Sequence, residues 1–487
     1  MPWTADPRVP AAKREVSPVS LPDGLPLPRR RWAFATVVLG IMLAVLDGSV
    51  ANVALPTIAA EFQASPSMSI WIVNAYQLAV VVSLLPLATL GEIVGYRRIY
   101  LGGLALFTVA SVACALSDSL ITLTLSRVAQ GFGAAGIMSV NTALIRYIFP
   151  RARLGHVLGV NAMIAAGAST IGPSFAGAVL SLTSWPWLFA INLPLGVAAL
   201  VIGSRNLPES DLADHRFDLL SALLSAATFG LLITGIDSMA HGLDWGLVAL
   251  QLGTSVAAAI WLVRRQLGRA TPLVPLDLLR IPVVGLSVVT SITSFAAQMA
   301  AFVTLPFLLQ TGSGFSPAQV GLLMIPWPLA VAVTAPIAGR LSDRHPPGLL
   351  GGIGLALMAI GLVLMATLPA DPSPWEIVWR MALCGAGFGL FQAPNNRVMI
   401  GSAPRSRSGA ASGMLGTARL LGQATGAALV ALLFAHFPDH GAQAALLTAA
   451  GLATAATVVS CLRLATPAYA ADDPAPEPEP HARAPMR

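Results

Sequence analysis

AFATVVLGIMLAVLDGSVANVALP, residues 33–56, holds a single charge, Asp47, in a run of otherwise apolar, small or uncharged side chains. At about 1.5 Å per residue this stretch makes a helix of roughly 36 Å, enough to cross a hydrocarbon core about 30 Å thick. Similar stretches follow at 69–90, 99–117, 120–144, 156–180, 187–204, 217–236, 247–264, 283–310, 317–339, 348–368, 375–399, 409–435 and 442–463. The pattern predicts an all-α polytopic membrane protein with fourteen transmembrane helices. Of 28 Lys and Arg, all but Arg127, Arg380 and Arg419 fall in the tails, in the even-numbered gaps or at the segment ends beside them. The positive-inside rule then puts both termini in the cytoplasm, and the chain is expected in the cell (inner) membrane.

A composition that is 55% hydrophobic and 10% charged suits a chain solvated mostly by lipid. The net charge of +6 restates the arginine bias, and the apolar segments leave no soluble face for nucleic acid. Cys114, Cys384 and Cys461 all lie in apolar segments and read as packing residues. Residues 1–32 and 465–487 are expected to be disordered cytoplasmic tails, and the first apolar segment reads as a retained span rather than a leader.

The two ends of the chain repeat each other. Ala88, Leu90 and Glu92 are matched by Gly339, Leu341 and Asp343, and Arg127, Gly131 and Gly133 by Arg380, Gly385 and Gly387, at nearly one spacing. A duplicated six-helix unit follows, with an N-terminal half at 33–204, an inserted helix pair with flanking loops at 205–269 and a C-terminal half at 270–464. Two such halves facing one path form an architecture that works by alternating access.

Charges inside spans are costly and mark function. Asp47 lies about 13 Å from the helix end near Pro56 and Arg127 about 10 Å from the end near Leu120, so the two are expected to meet. The pair reads either as a static packing contact or as a protonatable switch, because apolar surroundings raise a carboxylate pKa and a nearby arginine lowers it. The switch is the favoured reading. Glu92 with Arg97 and Arg98, and Asp343 with Arg340 and Arg344, are expected to clamp the inner mouth. Gly167, Gly172, Pro173 and Gly177 allow close helix approach and a kink. Asn52, Trp71, Asn74, Tyr76, Gln77, Gln130, Gln298, Phe302, Gln392, Asn395, Arg380 and Arg419 are candidate lining residues of a mostly apolar cavity suited to an amphiphile. Lys13 is the only lysine, so a phosphate-binding G-x-x-x-x-G-K loop is ruled out, and no catalytic cluster or metal-ligand spacing is found. The sequence reads as that of no enzyme, with neither cofactor nor metal.

The runs Leu46 to Pro56 (LDGSVANVALP), Trp71 to Ala79 (WIVNAYQLA) and Arg127 to Ala135 (RVAQGFGAA) resemble the major facilitator superfamily, in its fourteen-helix drug:proton antiporter branch. Gly172-Pro173 with Gly177 resembles that superfamily's antiporter motif, and Trp185 to Gly196 (WPWLFAINLPLG) resembles the sixth-helix start of the same branch. The resemblance runs from about residue 33 to 464. It departs at Ala88 and Glu92, where the family usually has Gly and Asp, and at Ala176, where it has Gly. It implies proton-driven export, with Asp47 and Arg127 as the coupling pair. The expectation is a monomeric, proton-coupled exporter of amphiphilic, cationic small molecules, partnered by the lipid bilayer, its substrate and protons. The alternatives are an exporter dedicated to one metabolite or antibiotic, and a membrane enzyme or receptor.

Overall fold

This computed structural model describes residues 24–150, 153–213, 217–240, 244–267, 276–342, 344–369, 371–402 and 408–465. Among them are fourteen long helices. They are α1 Leu27–Glu61, α2 Pro66–Val94, α3 Tyr96–Ala115, α4 Leu120–Ile148, α5 Leu154–Leu182, α6 Pro186–Asn206 and α7 Leu219–Ala240. The others are α8 Trp245–Gln266, α9 Pro282–Gly312, α10 Pro317–Leu341, α11 Pro347–Ala366, α12 Pro374–Gly401, α13 Ser408–His436 and α14 Gly441–Leu462. Thirteen are long and apolar enough to cross a membrane. The remaining one, α12, spans 28 residues but dilutes its apolar run with Glu376, Arg380, Asn395, Asn396 and Arg397.

Helix starts follow local chemistry. Ser119, Ser316 and Ser373 each accept a hydrogen bond from the backbone N–H three residues on, and the side chains of Thr122, Gln319 and Glu376 accept one from the cap residue's own N–H, closing capping boxes on α4, α10 and α12. Pro28 sits in the first turn of α1, where its missing N–H costs nothing. That start corrects the tail expected at 1–32, because Arg29, Arg30 and Arg31 are helical. Arg29 Nε donates to the Asn206 carbonyl at 3.0 Å, and Arg30 Nε to that of Leu25 at 2.7 Å. The rest of both expected tails, apart from residues 24–28, 32 and 465, lies outside the described residues.

Packing follows one plan twice. Within α1–α6, α4 packs on α2 and α3, α1 on α5 and α6, and α3 on α6. Within α9–α14, α12 packs on α10 and α11, α9 on α13 and α14, and α11 on α14. The two sets meet where α5 contacts α10, α2 contacts α13 and α1 contacts α9. Helix α8 packs on α7, and α7 on both α2 and α13, so the pair leans on a seam between the sets. Large apolar side chains such as Val109, Leu125, Leu250 and Val333 face outward, as a lipid-solvated surface requires.

The end of the bundle at which α1 begins, near Leu27, is the tail face, and the end at which it stops, near Glu61, is the far face. Toward the far face one apolar core unites both sets, with Val53, Leu55 and Ile58 against Leu305, Phe307 and Leu309. Toward the tail face the cores divide. Tyr100, Leu104 and Leu144 belong to one, joined by Leu420, Ala424 and Ala428 of α13, and Val284, Met399 and Met414 to another. Gln310 Nε2 donates to the Val53 carbonyl at 3.0 Å, and Ser174 Oγ to that of Gly321 at 3.4 Å, both between the two helix sets.

The repeat also corrects one sequence match. A Cβ on Gly131 would strike the Tyr76 carbonyl of α2, and one on Gly385 the Trp327 carbonyl of α10. Gly133 and Gly387 meet the Phe107 backbone of α3 and the Met358 backbone of α11 in the same way. These glycines and the caps Ser119 and Ser373 share one register, and in that register the counterpart of Arg127 is Met381. Arg380 is one residue out, hence rotated by about 100° around α12.

Candidate functional site

Asp47 and Arg127 meet in the middle of the first helix set. Both are buried, at 3% and 0% exposure, and Arg127 Nη1 donates to Asp47 Oδ2. Burying two charges is tolerable only when further hydrogen bonds satisfy them, and here they reach both carboxylate oxygens and Arg127 Nε and Nη1, while Nη2 has no partner among the described residues. Gln130 Nε2 donates to Asp47 Oδ1 at 2.8 Å, and Asn192 Nδ2 to the same oxygen at 3.0 Å. Arg127 Nε donates to the Ile72 carbonyl at 3.1 Å and Nη1 also to Gln130 Oε1 at 2.6 Å. The guanidinium carbon lies 4.2 Å from the ring centre of Tyr76 and 5.6 Å from that of Phe189, and the Tyr76 hydroxyl donates to the Ala44 carbonyl at 3.1 Å. Ser111 Oγ accepts from both amides, at 2.8 and 3.3 Å, which ties α3 and α6 into the network.

The expected meeting of α1 and α4 is thus seen, in a wider network than the sequence suggested. Tyr76 and Gln130, expected in a cavity wall, are components of it. Ser111 and Asn192 were missed. Asn192 carried a signal, an amide amid the apolar run Trp185 to Gly196; Ser111 resembles any small helical residue.

The other expected lining residues divide by location. Asn52, Asn74 and Gln77 on α1 and α2 are buried, and Asn52 Oδ1, both polar atoms of Asn74 and Gln77 Oε1 have no hydrogen-bond partner among the described residues. Phe302 packs edge-on against the buried Trp327, at 5.2 Å between ring centres. Trp71, Gln298 and Gln392 are half-buried. Asn395 is engaged elsewhere: Nδ2 donates to Ser291 Oγ at 2.8 Å, and Oδ1 accepts from Arg463 Nη1 at 2.7 Å. Arg380 leans on the Trp379 ring at 5.2 Å, while its Nε and Nη1 and the Nε of Arg419 are buried without hydrogen-bond partners among the described residues.

The motif on α5 lies on the seam. A Cβ on Gly172 would meet Ser49 Oγ of α1, and one on Gly177 would come 2.8 Å from the Pro317 carbonyl of α10, whereas Gly167 has open space. Pro173 offers its carbonyl to the same approach, 2.5 Å from a Cβ built on Gly321.

The tail-face loops carry contacts that the sequence did not suggest. Arg97, expected to face Glu92, has Glu209 of the α6–α7 linker as an acidic partner, at 3.5 Å. That linker continues across the α2–α3 corner: Ser210 Oγ accepts from the Tyr96 N–H at 3.0 Å, and the Ala213 N–H donates to the Glu92 carbonyl at 2.8 Å. Arg98 Nη1 donates to the Val94 carbonyl at 3.4 Å. Arg340 and Arg344 are exposed, and Asp343 lies outside the described residues.

The sequence profile described as the Major Facilitator Superfamily matches residues 37–427 and, overlapping, 286–487. The uncharacterized transporter YebQ of Escherichia coli (strain K12) is 56% identical, over 91% of this chain and 98% of its own. The riboflavin transporter RibZ of Clostridioides difficile (strain 630) is 31% identical, over 84% and 89% of the two chains. The tetracenomycin C resistance and export protein of Streptomyces glaucescens is also 31% identical, over 85% and 79%. Among solved structures, a bacterial homologue of the human lysosomal transporter Spinster, inward-facing and unoccupied, matches with a TM-score of 0.68 at 15% identity, covering 90% of this chain and 98% of its own. That likeness is one of fold.

Proposed function

This chain belongs to the major facilitator superfamily, a transporter and no enzyme, and we propose that it exports amphiphilic small molecules across the cytoplasmic membrane in exchange for protons. The observation that carries the proposal is the Asp47–Arg127 pair, a carboxylate whose charge is balanced by one arginine and which accepts from two neutral amides, deep in a span. If a change in helix packing separates the pair, the carboxylate loses its counter-charge in a low-dielectric site and takes up a proton; restoring the pair expels it. The apolar core that unites the two sets toward the far face suits an inward-facing member of an alternating-access cycle. With the arginine-rich gaps in the cytoplasm, the tail face is the loading side.

The cargo follows from the lining. Buried amide atoms of Asn52, Asn74 and Gln77 still lack partners, and an unmet buried donor or acceptor favours a ligand that supplies one. Together with the Phe302–Trp327 aromatic pair of the other set they suit an amphiphile with a few hydrogen-bonding groups, cationic where its charge takes the place of the proton at Asp47. A narrower cargo, one metabolite or antibiotic, is the second reading, favoured by relatives named for riboflavin and tetracenomycin C.

Ethidium efflux from proteoliposomes tests the proposal. A pH gradient imposed in the antiport direction should drive efflux and its collapse stop it. Efflux indifferent to the gradient refutes proton coupling.

A further inference from the structure

Asn192 is the donor to Asp47 that the arginine does not hold in place. Helix α6 is interrupted at Ile191, between Pro186–Ala190 and Asn192–Asn206, because Pro194 has no N–H to give the Ala190 carbonyl. The interruption sets Asn192, 1% exposed, beside the carboxylate. Its Nδ2 reaches Asp47 Oδ1 at 3.0 Å and Ser111 Oγ at 3.3 Å, and Gln130 Nε2 makes the same two contacts at 2.8 Å each. The two amides differ on their oxygen sides. Gln130 Oε1 accepts from Arg127 Nη1 at 2.6 Å, whereas Asn192 Oδ1 accepts no hydrogen bond among the described residues.

Every group bonded to Asp47 is a donor. That suits an ionised carboxylate, which only accepts; a proton on Asp47 would make one oxygen a donor facing donors. Gln130 could present its oxygen only by giving up Arg127. Asn192 gives up only Ser111, which keeps Gln130 as donor and gives its own hydroxyl proton to the Phe107 carbonyl at 2.8 Å. The other ionisable groups around the carboxylate are Arg127 of α4, Tyr76 of α2 and Cys114 of α3. We propose that Asn192 is a positioning residue that reads the proton on Asp47, its amide donating to the carboxylate and turning over to accept from the carboxylic acid. The proton comes from and returns to water, and no other bond is made or broken. This inference rests on the reading that Asp47 carries the transported proton.

Infrared titration of the full chain in liposomes tests it, with the carboxylic C=O band that Asp47→Asn removes as the reporter. Asn192→Leu deletes a charge-assisted donor and a weaker neutral acceptor, so the midpoint should rise by about one pH unit, tenfold in proton affinity. Asn192→Thr, whose hydroxyl both donates and accepts, should stay within about a third of a unit of the wild type and controls for misfolding. The acid-minus-base spectrum should also carry a side-chain amide band that Asn192→Leu loses. A band that titrates alike in wild type and Asn192→Leu, or an amide band that survives the substitution, overturns the inference alone. Absence of any Asp47-dependent band, with gradient-driven ethidium efflux intact in Asp47→Asn, overturns the proton reading and this inference with it.

Discussion

Tyr76 presents its ring face to Arg127, with 4.2 Å between ring centre and guanidinium carbon, so the arginine is held by an aromatic face on α2 as well as by a carboxylate on α1. A desolvated cation over a ring is stabilised by about 2 kcal/mol, more than the roughly 1 kcal/mol of the tyrosine's hydrogen bond to Ala44. Tyr76→Phe should therefore keep most of the ethidium efflux and Tyr76→Leu lose most of it. Equal activity in the two variants would show that the ring face does not hold Arg127.

The one-residue offset between Arg127 and Arg380 predicts unequal consequences. Arg127→Gln leaves Asp47 buried without its counter-charge, an expected cost of about 3–5 kcal/mol, and should abolish coupled efflux. Among the described residues Arg380 makes no salt bridge and rests on Trp379, so Arg380→Gln should reduce efflux severalfold at most. Parallel losses would restore the two arginines to equivalent roles.

Glycines on α5 make an internal comparison. A side chain at Gly177 forces α5 and α10 apart, whereas Gly167 has room. Gly177→Leu should hold the far face open and stop turnover while the protein still inserts, and Gly167→Ala should export normally. Labelling of a far-face cysteine at Ser184 measures the opening; unchanged labelling in Gly177→Leu contradicts the seal.

Topology has a direct check. In a Cys461→Ala background, cysteines at Leu212 and Ser184 should react with an impermeant reagent from opposite sides, Leu212 from the cytoplasm. Reaction of both from one side removes the fourteen-span reading.

Hydropathy alone made the helices legible, because a span must be long and apolar whatever its neighbours are. The meeting of Asp47 and Arg127 was legible too, since a charge in a span is rare enough to stand out. Asn192 and Ser111 were not, because an uncharged polar side chain in a helix has the same signature whether it faces lipid, a neighbouring carbonyl or a carboxylate. The Arg127–Arg380 match failed for a geometric reason: one residue of drift leaves a sequence repeat recognisable and turns a side chain by about 100°. The Glu209–Arg97 contact was hidden because it joins a linker to a loop, and neither has a periodicity from which their meeting could be read.

Ethidium efflux by Asp47→Asn in proteoliposomes with an imposed pH gradient tests the central claim most directly, because the substitution keeps the side chain's shape and removes its titratable charge. The account predicts that the variant reconstitutes at the wild-type level, still binds ethidium and no longer responds to the gradient. Gradient-driven efflux at the wild-type rate would contradict it.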